Sequence, residues 1–261
     1  MAREVTDFNG IIIYRQDYRE RDLLVKMLTD KIGPAMFFVK GAKKRGFRLA
    51  ADILPFTHGS YIGSLADDGL SFINVASETH QYRNIIADIS KNAYATYILS
   101  LVDHAFPDGR NIGAWFDQVA AALERIDQGV DEQVVANVIE IQLLTMFGVA
   151  PNWDRCVVCG QDQGPLDFSE ESGGMLCSRH WYLDPRRLHL DRRTVYFLQR
   201  LAHANLQQVR RISINPVTKH RLQAVIDTIY DDQVGLKLKS KHFINEMHRW
   251  EQKMGNLSAN D

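Results

Sequence analysis

Residues 10–45 read GIIIYRQDYRERDLLVKMLTDKIGPAMFFVKGAKKR, and the reading of this stretch decides the architecture of the N-terminal part of the chain. Gly10 is a turn signal, and the β-rich run FNGIIIYR surrounds it. DLLVKMLTD then leads into KIGP, after which AMFFVKG resumes an apolar run. Short apolar runs broken by Gly and Pro are hairpin punctuation. A helix over Leu23–Leu28 competes, because its apolar spacing fits either period. Further on, ADILPFT (51–57), SYIGSLA (60–66) and LSFINVA (70–76) read as more strands, separated by HG and DDG. Five or six short strands with turns between them predict a small barrel or sandwich.

The period changes near Glu78. Ile85, Ile86, Ile89, Ala93, Tyr97, Leu101 and Ala105 follow helical spacing until Pro107 and Gly109. IGAWFDQVAAALERI (112–126) and DEQVVANVIEIQLLTMFG (131–148) predict two more helices. The second has acids in its first turn and Gly148 and Pro151 at its end. A loop-rich stretch spans 152–185, and helices are expected at 192–205, 217–231 and 241–253 before a frayed tail.

The chain has 261 residues, 45% hydrophobic and 24% charged, which is enough for two or three domains with a real core. A formal net charge of −1 means that any polyanion signal must come from charge distribution. The opening MAREVTDFNG lacks the apolar core of a signal peptide, and every apolar stretch falls short of the ~18 residues that span a bilayer. A soluble cytoplasmic protein without a membrane partner is expected. Three cysteines are no disulfide framework.

Charge is segregated. Between Lys31 and Ala51 there are six cations, Lys31, Lys40, Lys43, Lys44, Arg45 and Arg48, and no acid. GAKKRG matches G-x-x-x-x-G, but Phe47 and Arg48 follow where a phosphate-binding loop needs Lys and Ser/Thr, so an NTPase site is rejected. A nucleic-acid surface is the better reading, because Phe37, Phe38, Phe47, Phe56 and Tyr61 interleave the cations. Strand alternation lets only one of Phe37 and Phe38 point outward, with Met36, Phe38 and Lys40 sharing a face. A solvated basic loop with both rings in the core is the plain alternative. A second basic stretch, Arg186 to Ile226, holds nine Lys/Arg against Asp191 alone, and Lys237, Lys239 and Lys241 follow. Asp103 to Glu140 carries eight acids against Arg110 and Arg125. Such a chain has a positive side able to neutralise phosphates with little sequence preference.

The most specific motif is CVVCGQDQGPLDFSEESGGMLCSRH: Cys156-x2-Cys159, a loop, then Cys177-x2-His180, holding every cysteine of the protein. Two such pairs suit tetrahedral zinc, and four protein ligands leave no open position, so the metal would be structural. Gly160 suits a tight knuckle turn, and Gly173–Gly174 suit shaping of the second half. A zinc deaminase also needs H-x-E, which is absent from the sequence. A redox pair or buried unmetallated cysteines remain the alternatives, and His180 beside Arg179 and Trp181 also reads as a surface histidine. The other histidines, His58, His80, His104, His189, His203, His220, His242 and His248, form no triad or ligand spacing, and no catalytic residue is identified.

Taken in order, GIIIYRQDYRERDLLVKMLTDKIGPAMFFVKGAKKR, YATYILSLVD, LLTMFGVAPNWDRCVVCG and LKSKHFINEM resemble the bacterial RecO recombination-mediator family nearly end to end. The resemblance implies an α+β multidomain protein: an N-terminal OB-fold β-barrel followed by an all-α domain with an inserted zinc-binding module. The expected domains are 1–79 (OB-fold), 80–150 with 186–253 (helical), 151–185 (zinc module) and 254–261 (flexible tail). It also implies a non-enzymatic, nucleoid-associated role in RecF-pathway repair. Such a protein binds single- and double-stranded DNA, contacts RecR and the C-terminal tail of single-strand DNA-binding protein, anneals strands and helps load RecA. Carried over by position, the ligands of one structural Zn2+ per chain are Cys156, Cys159, Cys177 and His180. The fourth ligand is often cysteine in metallated relatives, so His180 is a departure. The DNA-binding set is Lys40, Lys43, Lys44, Arg45 and Arg48, with Arg15 and Arg19. A groove in 186–226 is the candidate seat of the acidic, apolar tail. A zinc-stapled interaction scaffold and an RNA-binding OB-fold protein are the competing readings.

Overall fold

The computed structural model describes residues 5–66, 68–209 and 211–258, with the side chains of Gln252 and of 255–258 outside the description. The fold is mixed α+β, with an N-terminal sheet and helices after it. It divides into two compact units, 1–132 with 238–261, and 133–237.

The first unit opens with β1 (Val5–Tyr18), β2 (Asp22–Thr29), β3 (Gly33–Val39), β4 (Thr57–Ser64) and β5 (Ser71–Gln81). Leu23–Leu28 is therefore strand, not helix. The strands pair in the order β1-β2-β3-β5-β4 and close back on β1, forming a barrel. All pairs are antiparallel except β3–β5, joined at Phe37–Ser71 and Phe38–Phe72. Alternate residues Leu23, Val25 and Met27 of β2 and Ala35, Phe37 and Val39 of β3 fill the interior. Phe8 stacks on both Phe37 and Tyr61, with ring centroids 5.5 and 5.9 Å apart. At Gly63 an added Cβ would lie 2.0 Å from the Phe72 carbonyl oxygen, so only glycine lets β4 approach β5 there.

ADILPF (51–56) is not a strand, and only Thr57 of ADILPFT belongs to one, as the start of β4. Residues 47–56 fold as successive tight turns, with Ala50 N–H donating to Phe47 O, Ile53 N–H to Leu49 O and Leu54 N–H to Ala51 O. Leu49 and Ile53 belong to the barrel core, and Tyr61 Oη donates to Asp52 O at 2.7 Å. The segment plugs the barrel. Leu49, Ile53 and Phe56 stand four and three apart, a helical spacing that a strand reading of a short apolar run overlooks.

β5 continues to Gln81, past the expected change of period, with Glu78 at φ 52° in an irregular pairing with β4. Then come α1 (Arg83–Ala87), α2 (Ile89–Ala105) and α3 (Trp115–Asp127). Asp88 breaks the first helical pattern in two and caps α2 by accepting from Lys91 N–H. The last helix of the chain, α7 (Lys239–Ser258), packs on α2 through Ile244 and through His248, whose Nε2 lies 3.1 Å from Tyr94 Oη. It outruns the expected 241–253, and residues 259–261 of the expected tail lie outside the described residues. Lys26, buried on the outer face of β2, reaches Asp103 at 3.0 Å and Asp108 at 2.6 Å. Burial alone would lower its pKa, but the two carboxylates outweigh this and raise it.

Two histidines read as unrelated meet across β4 and β5, where His58 pairs with His80 and their ring centroids are 5.2 Å apart. His58 Nδ1 lies 3.1 Å from Tyr82 Oη, and its ring meets Phe116 edge-on. Burial, then the neighbouring His80, lowers the pKa of His58 to about 4. Between pH 6.5 and 4 the unfolded chain binds a proton at His58 that the native one refuses, so stability falls as pH falls through that window. At 1.36 kcal/mol per unit the loss is about 3 kcal/mol. Urea unfolding at several pH values is expected to show this slope in the wild type and a flatter one in His58→Gln; equal slopes would refute the assignment.

The second unit holds most of α4 (Glu132–Leu143), then β6 (Leu166–Ser169), β7 (Gly174–Cys177), α5 (Arg192–Ala202) and α6 (Pro216–Ile229). Asp191 caps α5 through Arg193 and Thr194 N–H, and Asn215 with Pro216 starts α6. α4 ends at Leu143, earlier than expected, and residues 144–148 continue as turns. The stretch 152–185 is more ordered than its loop-rich composition suggests: it holds the β6–β7 hairpin and a 3-10 turn, Ser178–Leu183.

Candidate nucleic-acid interface and metal centre

The basic loop is built against the β1–β2 turn. Gly41 N–H donates to Asp22 Oδ1 at 2.7 Å, and Lys43 N–H to Arg21 O at 3.1 Å. Lys44 and Phe47 N–H close successive turns onto Gly41 O and Lys44 O. These bonds bring Arg19, in the β1–β2 turn with φ 55°, to the same end of the barrel as Lys40, Lys43 and Lys44. Lys40, Lys43, Lys44, Arg45, Arg48, Arg15 and Arg19 are all exposed. Lys43 Nζ pairs with Asp17 at 2.6 Å, whereas Lys40, Lys44, Arg45 and Arg48 have no carboxylate partner among the described residues.

Of the interleaved aromatics, Phe37, Phe56 and Tyr61 are core residues and cannot meet a base; Phe47 is half-buried against the barrel core. Phe38 is the half-exposed member of its pair. It meets Tyr18 and Phe72 edge-on at 5.8 and 6.0 Å, and Leu24 lies opposite it on β2. The Arg19 guanidinium lies over Tyr18 at 5.1 Å. This patch of Tyr18, Phe38 and Phe72 crosses three strands on one outer face, with Lys40 two residues beyond Phe38. Alternation identifies Phe38, but Tyr18 and Phe72 join it only through strand pairing.

In the second unit, Cys156, Cys159, Cys177 and His180 converge, with all ligand atoms within 4.8 Å of one another. Cys159 and Cys177 Sγ are 3.8 Å apart; His180 Nδ1 lies 3.3 Å from Cys177 Sγ and 3.5 Å from Cys156 Sγ. A tetrahedral ion about 2.3 Å from each sulfur would space them by ~3.7 Å. The geometry and the soft donor set therefore fit a four-ligand metal ion, with His180 standing where a fourth ligand would be. The thiols are free. Burial would raise the pKa of Cys156, but backbone N–H groups of Cys177, Cys159 and Val158 outweigh it and bring it to about 6.

The knuckle is shaped by backbone bonds. Cys156 N–H donates to Gln161 O, Gly160 N–H to Cys156 O, and Val157 N–H to Met175 O on β7. Gly160 has φ 71°, and a Cβ on Gly174 would lie 2.8 Å from Val157 Cγ1, so both glycines are needed where they stand. Behind the knuckle, Trp153 stacks on Phe168 with centroids 5.1 Å apart. The buried carboxylate of Asp167 forms an ion pair with Arg187, its Oδ2 lying 2.9 Å from Nε, and that guanidinium lies over Trp181 at 4.5 Å. This network fixes the turn that carries His180.

The second basic stretch is partly engaged internally, since Arg187 is held by Asp167 and Arg221 by Asp191. Arg210 lies outside the described residues. Arg155, Arg200 and Arg211 line a groove of about 800 Å³ with Tyr196, Phe197 and Val209. No helix among the described residues is long and apolar enough to cross a membrane.

The N-terminal model of recombination protein O matches residues 1–82, and the C-terminal model matches residues 86–242. The chain belongs to the RecO family of DNA repair proteins. It is 69% identical to the DNA repair protein RecO of Limosilactobacillus reuteri (strain DSM 20016) over 261 residues, the whole of both chains. It is 59% identical to RecO of Limosilactobacillus fermentum over 250 residues, covering 96% of this chain and 92% of that one. RecO of Lactiplantibacillus plantarum is 49% identical over 248 residues, 95% of this chain and 96% of the relative. The RecO resemblance of the quoted motifs is thus confirmed along the full chain.

Proposed function

We propose that this member of the RecO family is a non-enzymatic recombination mediator that binds single- and double-stranded DNA through an OB-fold barrel, anneals strands and helps load RecA onto coated single strands. The observation that carries the reading is the cationic loop tied to the β1–β2 turn beside the half-exposed rings of Tyr18, Phe38 and Phe72. Lys40, Lys44, Arg45 and Arg48, with Lys43, Arg15 and Arg19, contact phosphates, and the rings stack on bases. Annealing brings two polyanions together, and cations that screen their repulsion accelerate it without breaking or forming a covalent bond.

In this reading residues 1–79 are the DNA-binding domain, 80–150 with 186–253 the helical domain and 151–185 the zinc module. One structural zinc ion is held by Cys156, Cys159, Cys177 and His180, where it ties the knuckle to β7 and the 3-10 turn. The arginine-lined groove beside Tyr196 receives the acidic, apolar C-terminal tail of single-strand DNA-binding protein; RecR is a second partner, and the protein works on the nucleoid in the cytoplasm. A salt titration of single-strand affinity, with and without the tail peptide, tests the reading. Affinity is expected to fall with a log–log slope of about −0.7 per phosphate contact. The peptide is expected to bind at the groove, weakened by Arg200→Glu. Salt-independent binding, or preference for a matched RNA strand, would sink the DNA assignment.

A further inference from the structure

The four metal-binding side chains are not equally protected. Cys156 and Cys177 are buried and His180 is half-buried, but Cys159 is exposed. The group beside its sulfur is the guanidinium of Arg179, in the turn between Cys177 and His180. Arg179 Nη2 lies 3.7 Å from Cys159 Sγ and donates to Gln161 Oε1 at 2.7 Å. Gln161 in turn belongs to the knuckle, because its carbonyl accepts from Cys156 N–H at 2.8 Å. The arginine is therefore steered onto the sulfur by the loop that carries the sulfur.

The charges give this contact a purpose. Three thiolates and a neutral imidazole around a divalent ion sum to one excess negative charge. An arginine is always protonated, and its planar fork can meet a sulfur and an amide oxygen together. A hydrogen bond to a metal-bound thiolate withdraws electron density, which makes the sulfur a poorer nucleophile. The guanidinium also lies against the sulfur of the one exposed cysteine.

We propose that Arg179 is a positioning residue of the metal centre: it neutralises and shields Cys159, the ligand through which the metal is lost and at which electrophiles attack. The proposal rests on the metal reading above. It makes Cys159 the modifiable ligand of the four and Arg179 the residue that sets its rate of modification.

The test uses the full-length protein loaded with zinc, as wild type, Arg179→Ala and Arg179→Lys. Zinc release to a chromogenic chelator is followed, and iodoacetamide alkylation is mapped by peptide mass spectrometry. In alkylation the Cys159 sulfur displaces iodide and forms one S–C bond. Arg179→Ala is expected to speed zinc release and Cys159 alkylation by roughly 10-fold, the lower range for groups supporting metal ligands. Arg179→Lys should fall between the two, because it keeps the charge and loses the fork. The difference should shrink at 1 M salt, where the Debye length is about 3 Å. A residue that only held the turn would show neither the lysine rescue nor the salt effect. Unchanged rates in Arg179→Ala, or first modification at Cys156 or Cys177, would overturn the proposal while leaving the zinc assignment standing. Wild-type protein that holds no zinc would overturn both.

Discussion

Replacing Lys44 and Arg45 with glutamate is expected to weaken single-stranded oligonucleotide binding by on the order of 100-fold at 50 mM salt and to reduce the salt slope by about 1.4, two contacts at ~0.7 each. Both side chains are exposed on a loop whose backbone is held by Asp22 and Arg21, so reversal removes cations without removing the loop. Lys43 differs from them. Its ammonium already faces the Asp17 carboxylate at 2.6 Å, which offsets part of its charge. Adding Lys43→Glu to the double variant should therefore cost less than either of the other reversals. Fluorescence anisotropy across 50–300 mM salt reads both quantities. An unaltered slope in the double variant would show that strands lie elsewhere. A Phe38→Ala variant separates stacking from charge, because it should lose affinity by about 1–3 kcal/mol with the slope unchanged.

The second large effect is expected at the metal centre. Elemental analysis should find about one zinc per chain, the content of a closed four-ligand site. Cys177→Ser should abolish it, because Cys177 is buried and lies beside both Cys159 and His180. Metal bound to the native state alone stabilises by about 4 kcal/mol when free metal is a thousandfold above Kd. For a chain of this size that corresponds to a fall in Tm of roughly 8–16 °C. Calorimetry of the wild type, the chelated protein and Cys177→Ser should show the same fall in the last two. The Trp153–Phe168 stack and the Asp167–Arg187 pair are independent of the ion, so they should retain part of the hairpin's order. Protein that is isolated folded and metal-free, with its Tm indifferent to chelator, would contradict the assignment.

Much of this architecture is written in local pattern. The two-residue alternation of AMFFVKG separates Phe37 from Phe38, and the barrel places Phe37 at its centre with Phe38 on its outer face. The paired Cys-x2-Cys and Cys-x2-His spacing is equally local, since a knuckle turn needs only its own glycine and its own backbone bonds. The RecO resemblance reaches further, because the order of soft motifs along a chain is itself information. Local pattern misleads at 51–56, where a run short enough to be a strand is the plug of the barrel, and at Phe56 and Tyr61, which lie near the cations in sequence but face the core.

By itself, the amino-acid sequence pointed to most of the strand and helix periods, the segregation of charge and the set of four side chains that could hold a metal. Each follows from neighbours a few residues apart, where backbone geometry alone says which side chains share a face. Only the tertiary structure decided that Tyr18 and Phe72 join Phe38, that Asp17 engages Lys43, that His58 is half-buried against His80, and that Arg179 lies beside Cys159. Those pairings depend on strand register, on closure of the barrel and on the turn between two ligands. They bring together atoms that no periodicity along the chain relates.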